Sequence, residues 1–184
     1  MPASITHRFT VEDYYRMAET GILKPDARVE LIEGEIVDMM PIGPFHAGAG
    51  SELNGLFTCL AQGRWMVWNQ YPLRIDEHNE PQPDLMLLRP SAKKYKQSHP
   101  TPEDVILLVE ISDSTLRRDR EIKLPLYAKA GIEEVWILNV QERQIEVYRE
   151  PNYLGYGTQF IVRDGRLAPM AFPDAEIDVQ DLLQ

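Results

Sequence analysis

Two uninterrupted apolar stretches dominate the hydrophobic pattern, Leu85–Leu88 and residues 105–109. A strand covered on both faces shows no polar alternation, so both stretches predict central strands. Residues 135–138 repeat that pattern and predict a third. Residues 144–149 alternate apolar with polar, which predicts a half-covered strand at a sheet edge. Residues 65–70 and 73–76 predict two short strands separated by Tyr71 and Pro72, and the polar run 77–80 predicts a turn.

Helical spacing occupies the rest. Thr10 can cap a first helix with Asp13 at its third position, and Phe9 can staple onto Tyr14. Gly21 predicts its end, and Pro25-Asp26 a turn. Residues 28–38 place Val29 and Leu31 before Glu33-Gly34, and Ile36 and Val37 after it, which predicts a β-hairpin. After a loop at 41–44, His46 opens a second helix. In it Leu53, Leu56, Phe57 and Leu60 form one buried stripe. The small residues Ala47, Gly48, Ala49 and Gly50 let its first turn approach a sheet, and Gly63 ends it. Residues 90–103 predict an exposed loop or frayed helix. Residues 118–130 predict a helix with Ile122, Leu126 and Ala130 on its inner face. Pro125 belongs to its first turn or kinks it, and Gly131 stops it. From Tyr153 the pattern predicts one or two marginal strands and a final helical turn at 179–183, and residues 1–8 read as a loose leader. The order predicts an α/β architecture, a mixed β-sheet flanked by helices, in one domain over 1–184 with its core at 28–149.

Charge narrows the partners. The net charge of −10 counts against a protein that coats nucleic acid non-specifically, but leaves room for an enzyme with a local basic patch. Two basic runs qualify: Lys93, Lys94 and Lys96 around Tyr95, and Arg117, Arg118 and Arg120 leading to Lys123. They can contact backbone phosphates, with Tyr95 stacking on a base; equally they can be a solvated loop and helix face. Cys59 is the only cysteine, so no internal disulfide and no cysteine-based zinc site is possible. No basic-then-apolar start predicts a signal peptide, and no window reaches the ~18 apolar residues of a membrane span. The expected location is the cytoplasm.

The chemistry gathers around the central strands. Asp84 begins one apolar strand and Glu110 ends another. If these strands are antiparallel neighbours, both carboxylates lie at one end of the sheet. Two acids at such a rim, with Lys123 nearby, form a candidate site for a divalent metal and a phosphodiester. Each also has a purely structural reading. Asp84 can simply start a strand, and Lys123 can pair with Asp119 on a helix surface. His46 can be a polar contact at a helix start, and Glu30 can face solvent on the hairpin.

These pieces together resemble the PD-(D/E)XK nuclease superfamily and, more narrowly, the Uma-two family of restriction-endonuclease-like proteins. The matching segments are Glu30-Leu31-Ile32-Glu33-Gly34-Glu35-Ile36, His46 before a helix, Pro83-Asp84, and Val109-Glu110-Ile111-Ser112. They continue with Asp119 to Lys123, Tyr127, and Gly131-Ile132-Glu133-Glu134-Val135-Trp136. The resemblance covers roughly residues 9–149 and implies a restriction-endonuclease-like fold with an αβββαβ core. It also implies a magnesium-dependent (alternatively manganese-dependent) endonuclease acting on DNA, with a homodimer through residues 153–172 as a weaker implication.

The resemblance assigns the metal to Asp84, Glu110 and the backbone carbonyl of Ile111. Ser112 stands where the superfamily has lysine, and the resemblance moves that role to Lys123. Glu30 becomes a third carboxylate and His46 a further catalytic candidate. Ser112 and the acidic net charge keep an alternative open, a catalytically idle nucleic-acid-binding or protein-interaction module on the same fold. A second alternative, a carboxylate pair acting on a glycoside, would need no metal.

Overall fold

The computed structural model describes residues 6–183, so the first five residues of the expected leader lie outside it. Thr10 caps α1 (Val11–Glu19) in a closed capping box with Asp13. The hairpin follows as β1 (Val29–Ile32) and β2 (Glu35–Asp38). Its two turn residues both have positive φ, 51° at Glu33 and 76° at Gly34, the left-handed geometry that matches the twist of paired strands. α2 (Pro44–Ala61) comes next, with His46 in its first turn.

Six strands then form one sheet. β3 (Met66–Asn69), β4 (Leu85–Leu88), β5 (Val105–Ser112), β6 (Glu134–Asn139), β7 (Gln144–Asn152) and β8 (Gly155–Val162) lie side by side in chain order. All neighbours are antiparallel except β5 and β6. A parallel pair needs a crossover, and a continuous helical segment supplies it. That segment is α3 (Leu116–Arg118), a π-helical turn (Asp119–Lys123) and α4 (Leu124–Lys129). The short strands β9 (Arg166–Leu167) and β10 (Ile177–Asp178) and a final turn, α5 (Val179–Leu182), close the chain.

The sheet has a core on each face. Leu53 and Phe57 of α2 cover Leu85, Leu87, Leu107 and Val109. Tyr127 of α4 lies in the opposite core with Met86, Leu108, Val135 and Ile137. Every residue of β4, β5 and β6 is buried, as continuous apolar runs require. Of the small residues at the start of α2, Gly50 makes the close approach: a Cβ there would sit 3.5 Å from Ile111 Cδ1.

Three expectations change. Residues 144–149 lie in an interior strand, because β8 pairs with β7 from Ile145 to Asn152. Their polar members do not face water: Gln144 and Glu146 are buried and hydrogen-bonded to each other. Residues 73–76 form no strand; Leu73 is buried in a loop, and Asp76 makes one isolated bridge to Asn79. In the crossover helix, Ile122 is exposed while Asp119, Lys123 and Tyr127 are buried. The π turn rephases the helix, and the face it turns inward is polar.

Candidate active site

The antiparallel register of β4 and β5 sets Leu85 opposite Val109, so Asp84 and Glu110 fall at the same end of the sheet. Asp84 stands at the mouth of β4. Its Oδ2 accepts the backbone N–H of Ile111 at 2.8 Å. Its Oδ1 lies 3.1 Å from His46 Nε2 and accepts from Gln70 Nε2 at 3.3 Å. Within a strand the N–H and C=O of one residue point to the same side, so the Ile111 carbonyl also faces the gap beside Asp84.

Glu110 shares a sheet face with Leu108 and Ser112, the face that the crossover helix covers. Its Oε1 accepts from Lys123 Nζ at 3.1 Å and from the Tyr127 hydroxyl at 2.6 Å. Its Oε2 takes no hydrogen bond from the described residues. Lys123 Nζ also lies 3.3 Å from Glu30 Oε2. Glu30 is 1% exposed, so it does not face solvent on the hairpin. Its carboxylate is held by Lys123, the Gln82 backbone N–H and the Arg118 guanidinium.

Asp119 is not a surface partner of Lys123. It is buried, and its Oδ2 accepts from the hydroxyls of Ser112 at 2.6 Å and Thr115 at 2.7 Å. Ser112 thus fastens the crossover helix to β5, and the lysine that enters this face comes from the helix.

Burial dominates the electrostatics. It pushes the Glu110 carboxyl up to about 8, against the pull of the Lys123 ammonium; Asp84 and Asp119 add to the rise. Burial alone would lower Lys123, but the carboxylates of Glu110 and Glu30 outweigh it and hold its pKa above the ordinary value. Burial raises Asp84 too, yet the hydrogen bond and charge of His46 and the Ile111 N–H bring it below the usual range. The hydrogen bond to Asp84 raises His46 in turn. The two acids are therefore driven apart: Asp84 ionises readily, while Glu110 holds a proton near neutrality.

Asp84, Glu110, Ile111, Lys123, Glu30, His46, Arg118 and Asp119 line one cavity of about 80 Å³. That space admits several water-sized occupants. Among the described residues, no three His, Cys, Asp or Glu side chains converge closely enough to hold a metal by themselves. Magnesium asks for less, one or two carboxylates with waters completing the shell. Asp84, the open Oε2 of Glu110 and the Ile111 carbonyl are hard oxygen donors of that kind, so the residues fit the ion.

The basic residues divide. Arg118 lines the cavity but is bonded to Glu30 and to the Asp38 carbonyl. Arg120 lies away from it, forked onto Glu146 of β7. Arg117 is exposed and pairs with Glu121. Lys93, Lys94 and Lys96 follow the far end of β4 and are exposed. Sequence reasoning missed two site contacts, Tyr127 on Glu110 and Gln70 on Asp84. The i, i+4 spacing of Asp119, Lys123 and Tyr127 was a signal for the first; nothing in the pattern marked Gln70.

A mixed sheet of this order, flanked by helices and with paired acids at one end, defines a restriction-endonuclease-like fold. The chain matches a crystal structure described as "a putative nuclease belonging to DUF820 from Anabaena variabilis ATCC 29413". The TM-score is 0.70 over 95% of this chain and 97% of that one, at 17% identity, a likeness of fold. No curated protein matches the sequence. The family model Uma2, "Putative restriction endonuclease", matches residues 11–180, and the chain belongs to that family. Among the described residues no helix is long and apolar enough to cross a membrane.

Proposed function

We propose that this protein is a metal-dependent endonuclease that hydrolyses phosphodiester bonds in DNA. The observation that carries this reading is the convergence of Asp84, Glu110 and Lys123 on one cavity, with Lys123 Nζ 3.1 Å from Glu110 Oε1. Family membership and the nuclease neighbour support the same class.

Asp84, Glu110 and the Ile111 carbonyl would hold magnesium, or manganese in its place. When bound, the ion supplies charge relief on the phosphoryl oxygens and a water of lowered pKa. The chain's own groups do the rest. Gln70 and the Ile111 N–H fix the Asp84 carboxylate in one orientation. His46 keeps that carboxylate ionised. Lys123, locked between Glu110 and Glu30, presents a fixed positive charge to an attacking water or a phosphoryl oxygen. Glu30 keeps the ammonium in place and protonated. Arg118 supplies a second cation at the cavity wall. Phosphate contacts outside the cavity fall to the exposed lysines and Arg117, and contact between two copies to the exposed Tyr153-Leu154 tip.

The test is cleavage of supercoiled and linear DNA with magnesium, manganese or a chelator, comparing the wild type with Asp84→Asn. Metal-dependent nicking lost in the variant is expected. Equal cleavage by both, or none with either metal, removes the reading.

A further inference from the structure

The edge strand β3 carries a strip unlike the rest of this acidic surface. From Arg89 to Pro102 the chain has Arg89, Lys93, Lys94 and Lys96 and no acidic residue. Arg89 and the three lysines are all exposed. Lys94 and Tyr95 both adopt positive φ, 50° and 51°, a costly conformation for two adjacent non-glycine residues. That backbone folds the loop back so that the Tyr95 ring meets Trp68 edge-on, with centroids 5.8 Å apart. The Tyr95 hydroxyl fastens the loop by donating to the Arg89 carbonyl at 2.7 Å. Glu103 and Asp104 follow this segment; Asp104, which lies against Tyr95, is engaged by the N–H and hydroxyl of Thr101.

Trp68 also meets Tyr71, with centroids 5.1 Å apart. Tyr71 is 55% exposed, a large aromatic open to solvent with its inner side supported by indole. It directly follows Gln70, which donates to Asp84 at the cavity. Gln70 too is held at positive φ, 50°. A series of contacts therefore links the Asp84 cavity through Gln70, Tyr71, Trp68 and Tyr95 to the lysine loop.

One exposed ring, Tyr71, backed by the half-buried Trp68 and Tyr95 and in line with phosphate-pairing cations, offers what an unpaired strand needs. Bases inside a duplex are stacked and cannot offer their faces to a protein ring, whereas unpaired bases can. We infer that the Tyr71–Trp68–Tyr95 strip and its lysine loop bind single-stranded nucleic acid, with a base stacked on Tyr71 and the backbone running along Lys93, Lys94 and Lys96. This rests on the nuclease reading only for the direction of the strand, which leads into the Asp84 cavity. The substrate class it names is a single strand, or a duplex with an unpaired end.

Binding without metal tests the strip apart from cleavage. Fluorescein-labelled oligothymidine, oligouridine and a random duplex, each of about 20 nucleotides per strand, are titrated by anisotropy with the full chain in chelator. Single strands are expected to bind more tightly than duplex. Tyr71→Ala, an exposed change, should weaken them about tenfold or more and leave the duplex unaffected. Replacing Lys93, Lys94 and Lys96 together with glutamate should weaken all three ligands and flatten the salt dependence by about 0.7 in log–log slope per lost single-strand contact. Duplex binding as tight as single-strand binding, or a Tyr71→Ala protein that binds like the wild type, overturns the inference. A chain that binds single strands through Tyr71 but cleaves nothing keeps it and removes the nuclease reading. A chain that cleaves while Tyr71→Ala binds normally does the reverse.

Discussion

Lys123 Nζ sits 3.1 Å from Glu110 Oε1, and the two residues come from elements that cover and form opposite sides of the same interface, the crossover helix and β5. The side chains are 7% and 4% exposed, so this pair is part of the interior. Lys123 is consequently not a helix-surface position that tolerates alanine. Truncation leaves Glu110 and Glu30 buried without their shared cation, an arrangement that costs ~3–5 kcal/mol before reprotonation offsets part of it.

Lys123→Met separates charge from bulk. It keeps the length and packing of the stem and removes the ammonium. Cleavage by Lys123→Met is expected to fall about 100-fold or more, the usual cost of losing one preorganised charge donor. Lys123→Ala should lose both activity and stability, seen as a lower urea midpoint. Wild-type cleavage by a folded Lys123→Met protein would return the lysine to a structural role.

The fold was legible where burial and polarity agree. Leu85–Leu88 and Val105–Ser112 are central strands because apolar runs in a sheet have no alternative to being covered on both faces. Legibility failed where the buried surface is polar. Glu146 alternates with Ile145 and Val147 as an exposed residue would, yet it is fully buried among Arg120, Asn139, Gln144 and Tyr148. Ile122 looked like the inner face of a helix because hydrophobicity cannot signal that the face opposite, Glu110 and Ser112, is itself polar. That Asp84 and Glu110 share one end of the sheet was legible from their strand-end positions, and the nearness of Lys123 followed from the Uma-two resemblance. Gln70 was not, since a hydrogen bond across 14 residues leaves no local trace; Tyr127 was marked by its spacing from Lys123 and by the resemblance, but nothing tied it to Glu110.

Arg120 and Arg117 make a contrast of the same kind. Both look like phosphate contacts in sequence, but Arg120 grips buried Glu146 and Arg117 pairs with Glu121 on the surface. Arg120→Ala should destabilise the fold by ~1–3 kcal/mol, since Glu146 keeps its other donors but loses its cation. Arg117→Ala should change stability by no more than ~0.5 kcal/mol. DNA affinity should fall for Arg117→Ala only. Urea denaturation and anisotropy on the same samples decide both.

Glu110 also ties stability to pH. Its carboxyl rises from 4.5 in the unfolded chain to about 8 in the folded protein. Between those values the folded state holds the proton and the unfolded state does not, so stability falls as pH rises through this window. The stabilisation is complete below the unfolded pKa and is lost by about pH 8. Glu110→Gln should show a shallower decline than the wild type between pH 5 and pH 8 in chelator, read from urea midpoints. Parallel curves for the two proteins would place the pH dependence elsewhere.

On the proposed metal-dependent reading, the same proton would compete with the ion. A divalent ion on Glu110 must displace it, so affinity should increase with pH through about 8 and binding should release protons. Tyr127 sets where that happens. Its hydroxyl donates to Glu110 Oε1 at 2.6 Å, and this bond favours the ionised carboxylate. Tyr127→Phe removes the donor and little else, because the ring is packed in the core beneath the site. A hydrogen bond to a charged group contributes ~1.5–3 kcal/mol, about one to two pKa units. Tyr127→Phe is therefore expected to bind manganese about tenfold more weakly at pH 7, and to approach wild-type affinity only in more alkaline buffer. Calorimetry in buffers of different ionisation enthalpy measures both the affinity and the protons released. A Tyr127→Phe protein whose affinity is lower by the same factor at every pH would show that the hydroxyl shapes the site geometrically and leaves the Glu110 proton where it was.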